Sequence, residues 1–171
     1  MDFITRLPRT KKQNDSIMVV IDKLRKASHF ILVKSNYKAV NIVDIFMKEN
    51  FILHGIPKIV ITSRNAKFTS RLWMSLFKGR DTKLNFSTTY HPQTYGQTKG
   101  LNQVLEDMLR MYVMSQPTKW EDYIHLVEFT YNNNYQASLK MSPFEVLICR
   151  RCKVPLSWEN LEDRKDLGHI C

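Results

Sequence analysis

Residues 16–22, "SIMVVID", constrain the fold more than any other stretch. A strand alternates its side chains between two faces, so an unbroken apolar run such as Ile17 to Ile21 needs cover on both. The chain must therefore supply packing layers on either side of a sheet. Before this run, "MDFITRL" alternates, with Asp2, Ile4 and Arg6 on one face and Phe3, Thr5 and Leu7 on the other. That predicts a strand over 1–7. "PRTKKQND" reads as a turn, and "SHFILVK" (28–34) as a third strand after a short polar turn. The first 34 residues thus form a three-stranded meander.

The cover comes from downstream. Over 39–53, Val40, Val43, Ile45, Phe46 and Phe51 recur at helical spacing, and His54-Gly55 with Pro57 supplies a stop. A strand over 58–62 follows, then a helix over 69–79 ending on Gly79, and a strand over 83–88. Two helices come last, at 97–115 and 119–133, and the tail from Pro143 carries little periodicity. The order βββ-α-β-α-β-α-α predicts an α/β fold whose mixed sheet carries helices on its faces. In the 97–115 helix, Leu101, Val104, Leu105, Met108 and Tyr112 form the expected core stripe. Lys99, Asn102, Gln103, Glu106 and Arg110 lie on its other side. Residues 87–100, "STTYHPQTYGQTKG", read as a polar loop before that helix. Such loops with aromatics can clasp nucleic-acid backbones and bases.

Composition narrows the function classes. With 43% hydrophobic residues over 171 positions, the chain can build a core. A net charge of +10 attracts phosphate polyanions and points to nucleic acid, DNA in particular, as a partner. No run of 18 apolar residues exists, so no membrane partner is expected. Three cysteines make no disulfide framework, and Cys149-x-x-Cys152 lacks a second ligand pair for zinc. A reducing compartment, nuclear or cytoplasmic, is expected. The chain opens on a strand-like run without a leader, which suggests that an upstream part is missing.

The strand over 58–62 ends in "ITSRNAKFTS". A strand end that gives way to a helix is a common place for catalytic acids. This one offers Ser63, Arg64, Asn65 and Lys67, and no carboxylate.

Four stretches carry a resemblance: "MDFITRLPRTKKQNDSIMVVIDKLRKASHF", "LHGIPKIVITSRNAKFTSRLW", "TKLNFSTTYHPQTYGQTKGLNQVLEDMLR" and "WEDYIHLVEFTYNNNYQASLKMSPFEVL". Together they resemble the integrase core of gypsy-type LTR retrotransposons, of the kind abundant in plant genomes. The resemblance runs from residue 1 to about 158, leaving 159–171 as a C-terminal tail. It implies an RNase H-like fold with a five-stranded mixed sheet. It also implies metal-dependent DNA strand transfer, in which two acids Asp and one Glu hold two Mg2+ or Mn2+ ions. The first acid falls on Asp2. The second, in a pattern resembling "ISDRxAKF", falls on Ser63. The third, in a pattern resembling "HPQTDGQTERVNQ", falls on Lys99.

The spacing is kept, 61 residues from Asp2 to Ser63 and 36 more to Lys99, but two acids are replaced. An ammonium about 4 Å from a divalent ion is repelled by roughly 8 kcal/mol at an effective dielectric of about 20. Glu106 and Asp107 lie two turns beyond Lys99, on the order of 10 Å away, too far to stand in for a ligand bonded at about 2 Å. Asp22 could approach Asp2, though a strand-end turn explains it equally. Tyr95, Asn65 and Gly100 also depart from the family's usual residues. The resemblance therefore implies a degenerate, non-catalytic copy that needs no cofactor. Its DNA contacts would come from Lys67, His91, Gln93, Thr94, Tyr95, Gln97, Lys99 and Asn102. Two other readings stay open on the sequence. One is an active polynucleotidyl transferase with a rearranged metal site. The other is a dimerising interaction module that uses Trp73, Trp120 or the Met-rich stretch 108–114.

Overall fold

The computed structural model describes residues 1–51, 55–87, 92–114 and 116–149, without the side chains of Phe51, 92–99 and Tyr112. The 159–171 tail and Cys152 lie outside the described residues. Strands β1 (Asp2–Ile4), β2 (Ser16–Ile21) and β3 (Ser28–Val33) form the antiparallel meander. Its register sets Asp2 against Val19 and Val19 against Phe30. Helix α1 (Ala39–Phe46) runs into a π turn (Met47–Phe51), and β4 (Ile59–Thr62) follows. Helix α2 (Arg71–Lys78) leads to β5 (Lys83–Phe86), which pairs in parallel with β4. Helices α3 (Pro92–Val113), α4 (Trp120–Asn133) and α5 (Pro143–Ile148) complete the order.

Met1 joins the two groups of strands. Its backbone nitrogen donates to the Ile61 carbonyl at 2.6 Å, and the Ser63 N–H donates to the Met1 carbonyl at 3.1 Å. One residue bonded to both neighbours of its opposite number is the step of a parallel ladder. β4 therefore lies beside β1, and Asp2 lies opposite Ser63.

The double-faced burial read from 16–22 is observed, and parity assigns each side chain. Met18, Ile31 and Val33 pack with Ile42, Phe46, Phe68, Trp73 and Phe77 on the α1–α2 face. Ile4, Ile17, Val19 and Phe30 pack with Leu101, Leu105, Leu109, Trp120 and Val127 on the α3–α4 face. Trp73 is fully buried, with the Phe46, Phe68 and Phe77 rings 5.1–5.3 Å away. Trp120 is buried too, its indole N–H donating to the Pro8 carbonyl. Both tryptophans belong to the core rather than to a docking surface.

Four expectations need correction. The first strand stops at Ile4, because Arg6 takes a left-handed φ of 67°. Helix α3 begins at Pro92 rather than 97, so residues 92–100 are helical and not loop. Proline suits a first helical position, and glycine costs a helix only about 1 kcal/mol, so Gly96 and Gly100 did not block it. The α3 stripe runs through Leu101, Leu105, Met108, Leu109 and Val113, while Val104 is exposed. Helix α5 was missed. Its signal was "SPFE": Ser142 accepts from the Glu145 N–H and Glu145 accepts from the Ser142 N–H, a capping box with proline at the first position.

Helix α4 covers the outer edge of β3. Asn132 accepts from the Ser28 N–H and donates to the Ser28 carbonyl, both at 2.8 Å. One turn earlier, Glu128 accepts from the Phe30 N–H at 2.7 Å and from His29 Nδ1 at 3.0 Å. Paired this way, the edge offers no template to another strand. The second ring nitrogen of His29 lies 3.6 Å from Glu49, an ion-pair distance rather than a hydrogen bond.

Two outcomes follow. Trp73→Ala should lower stability by about 3–5 kcal/mol, read from the urea midpoint. Glu128, and then Glu49, hold the His29 pKa above its ordinary 6.5 against the opposing effect of burial. A raised pKa stabilises the fold fully below the unfolded value and loses that contribution as pH rises through the folded value. The melting temperature should therefore fall as pH climbs through the range above 6.5. His29→Gln should flatten that slope.

Candidate functional site

Strands β1, β3 and β4 run in one direction, and the C-terminal end of β4 lies beside the start of β1, so that Ser63 stands opposite Asp2. Asp2 stands on β1 with its side chain on the Ile4 face, toward α3. Asn102 on α3 donates its amide to Asp2 Oδ2 at 2.9 Å. Ser63 follows β4 directly and is half-buried. Its hydroxyl and the Asn102 Oδ1 are buried with no hydrogen-bond partner among the described residues. Helix α3 carries Lys99 one turn before Asn102, and its side chain lies outside those described. The structure thus brings Asp2, Ser63 and Asn102 together.

The other expected residues divide. Lys67 is half-buried and is spent on the fold: its ammonium donates to the Ser35 carbonyl at 3.0 Å and sits 5.3 Å from the Phe3 ring. Burial holds its pKa below the ordinary lysine value, against the pull of Asp15. Gln93, Thr94, Tyr95, Gln97 and Lys99 occupy the first turns of α3, and His91 lies outside the described residues. Asn102 was expected away from the core and instead faces Asp2. Its spacing of three from Lys99 was the available signal. Asp22 does not serve the site. Its Oδ1 accepts from the N–H groups of Leu24 and Arg25, the strand-end turn. Glu106 lines a separate cleft of about 420 Å³ with Ile4, Arg6, Leu109, Arg110 and Trp120, and Asp107 is exposed.

Comparison with known proteins fits this arrangement. No protein-family model matches the chain. The Transposon Tf2-3 polyprotein of Schizosaccharomyces pombe is 33% identical over 147 residues, 86% of this chain and 11% of that protein. The Transposon Tf2-4 polyprotein of the same yeast matches to the same extent. The chain spans about a ninth of the length of these curated relatives. Among solved structures, a chain of the simian T-cell lymphotropic virus intasome in complex with PP2A regulatory subunit B56 gamma superposes with TM-score 0.69 and 13% identity, over 90% of this chain and 55% of that one. The HTLV-2 integrase catalytic core domain in complex with magnesium gives 0.62 and 15%, over 84% of this chain and 99% of that one. The chain is homologous to a stretch of the Tf2 polyproteins and has the RNase H-like fold of integrase catalytic cores.

Asn102→Ala should leave the half-buried carboxylate short of a donor and cost about 1–3 kcal/mol in a denaturant titration. Asn102→Asp, which sets a second carboxylate against Asp2, should cost more than Asn102→Ala in the same titration.

Proposed function

We propose that this chain is the nucleic-acid-binding core of a retroelement integrase, of the gypsy type, that no longer holds the catalytic metal pair. One observation carries the reading. Where Asp2 and Ser63 stand opposite one another, the Asp2 carboxylate accepts from the Asn102 amide N–H. Hard divalent ions need several oxygen ligands, preferably anionic. Among the described residues the donors there are one carboxylate, one neutral hydroxyl and an amide that already serves the carboxylate. Among the described residues no three His, Cys, Asp or Glu side chains gather to hold a metal. This donor set does not fit two magnesium ions, so no strand-transfer step is assigned to it.

What remains is binding. The net charge of +10 supports attraction to DNA through its phosphates. Attraction through phosphates carries no base sequence, so the binding is non-specific and electrostatic. Log K should fall with log salt by about 0.9 for each phosphate contact, followed by fluorescence anisotropy on a labelled duplex. Affinity that stayed constant from low to physiological salt would count against the reading.

The lost ligands are testable by restoring them. Ser63→Asp with Lys99→Glu should gain melting temperature on adding millimolar Mn2+, because an ion bound only by the folded state stabilises it. Ser63→Asp alone keeps the ammonium, and Lys99→Glu alone lacks an anion at the strand end. Neither single variant nor the parent should shift. An equal shift in all four proteins would show that these positions are not the missing ligands.

A further inference from the structure

The turn between β2 and β3 lies at the end of the meander from which β1 and β3 start. It is three residues beyond Val19, the partner of Asp2, on the order of 10 Å along the strand. Its tip reads Lys23-Leu24-Arg25-Lys26. Lys23, Leu24 and Arg25 are exposed, and Leu24 is 83% accessible. A tip of this composition would ordinarily be floppy. This one is fixed from within and from below. Within it, Asp22 Oδ1 accepts from the Leu24 and Arg25 N–H groups at 2.8 and 3.1 Å. The Lys26 N–H donates to the Asp22 carbonyl and the Asp22 N–H to the Ala27 carbonyl, each at 2.8 Å. Lys26 accepts a left-handed φ of 57° to close the turn. Below it, Asn132 clamps both backbone groups of Ser28, and Glu128 clamps Phe30.

Three cations and one apolar side chain are thus presented on a rigid frame. The one acid, Asp22, spends an oxygen on the backbone and stands 3.9 Å from Arg25. We propose that the Lys23–Lys26 tip is a preorganised contact for the sugar–phosphate backbone of duplex nucleic acid. The cations pair with phosphates, and Leu24 rests on the sugar edge between them. Preorganisation matters because ordering flexible side chains and loops costs affinity. The inference rests on the nucleic-acid reading above and assigns that reading a second contact, about 10 Å from Asp2.

The test compares three variants with the parent on a labelled duplex across a salt series. The first is Lys23→Gln with Arg25→Gln and Lys26→Asn, asparagine being tolerant of the left-handed backbone. The second, Leu24→Glu, changes only an exposed side chain and adds an anion at the tip. The third is a control of equal charge loss elsewhere, Lys58→Gln with Lys78→Gln and Lys83→Gln, all exposed. The tip triple should make the slope of log K against log salt shallower by about 2 to 3 units, at about 0.9 per lost phosphate contact. Leu24→Glu should weaken binding at least tenfold with an unchanged melting temperature. The control should change the slope by less than half as much. Equal effects of tip and control, or no effect of Leu24→Glu, would overturn the tip while leaving the parent's binding intact. A parent that binds no duplex would overturn both readings.

Discussion

Two backbone hydrogen bonds of Met1 hold the sheet together. Without them the antiparallel meander and the parallel β4–β5 pair would be separate ladders. With them, β4 is registered on β1, and the residue after β4 stands opposite Asp2. The candidate site depends on that register. So does the continuous floor beneath α1 and α2, since Met1 and Val60 belong to the same apolar cluster.

Around this junction the chain uses side chains where backbone pairing stops. Asn132 and Glu128 finish the β3 edge. Lys67 reaches across Phe3 to the carbonyls after β3. Glu121, buried at the start of α4, accepts from Asn14 and pairs with Lys12, fixing the β1–β2 turn. Each polar contact joins segments distant in sequence. The same logic makes the β2–β3 tip stiff, because its base is part of the clamped edge. Beside Asp2 it leaves an amide on the carboxylate, where a metal pair would need anionic oxygens.

Much of this was legible in the sequence, for identifiable reasons. The run from Ile17 to Ile21 demanded two faces of cover, and both clusters are present. Element order, the helix ending near Gly79 and the burial of Leu101, Leu105 and Met108 followed from periodicity. The start of α3 was hidden because residues 87–100 are polar and carry no apolar stripe, whereas the helix draws its stability from Leu105, Leu109 and Val113 packed on the sheet. The Arg6 kink was hidden because alternation continues past it to Leu7. At the site, the family resemblance set Asp2 and Ser63 together, but the bond from Asn102 to Asp2 needs the docking of α3, which no local pattern encodes.

The account turns on whether the site at Asp2 and Ser63 holds a pair of divalent ions. Calorimetric titration of the parent protein with Mn2+ tests this directly. No saturable heat at micromolar to low-millimolar ion is predicted, with duplex binding intact in chelator. A two-ion isotherm abolished by Asp2→Asn would contradict it.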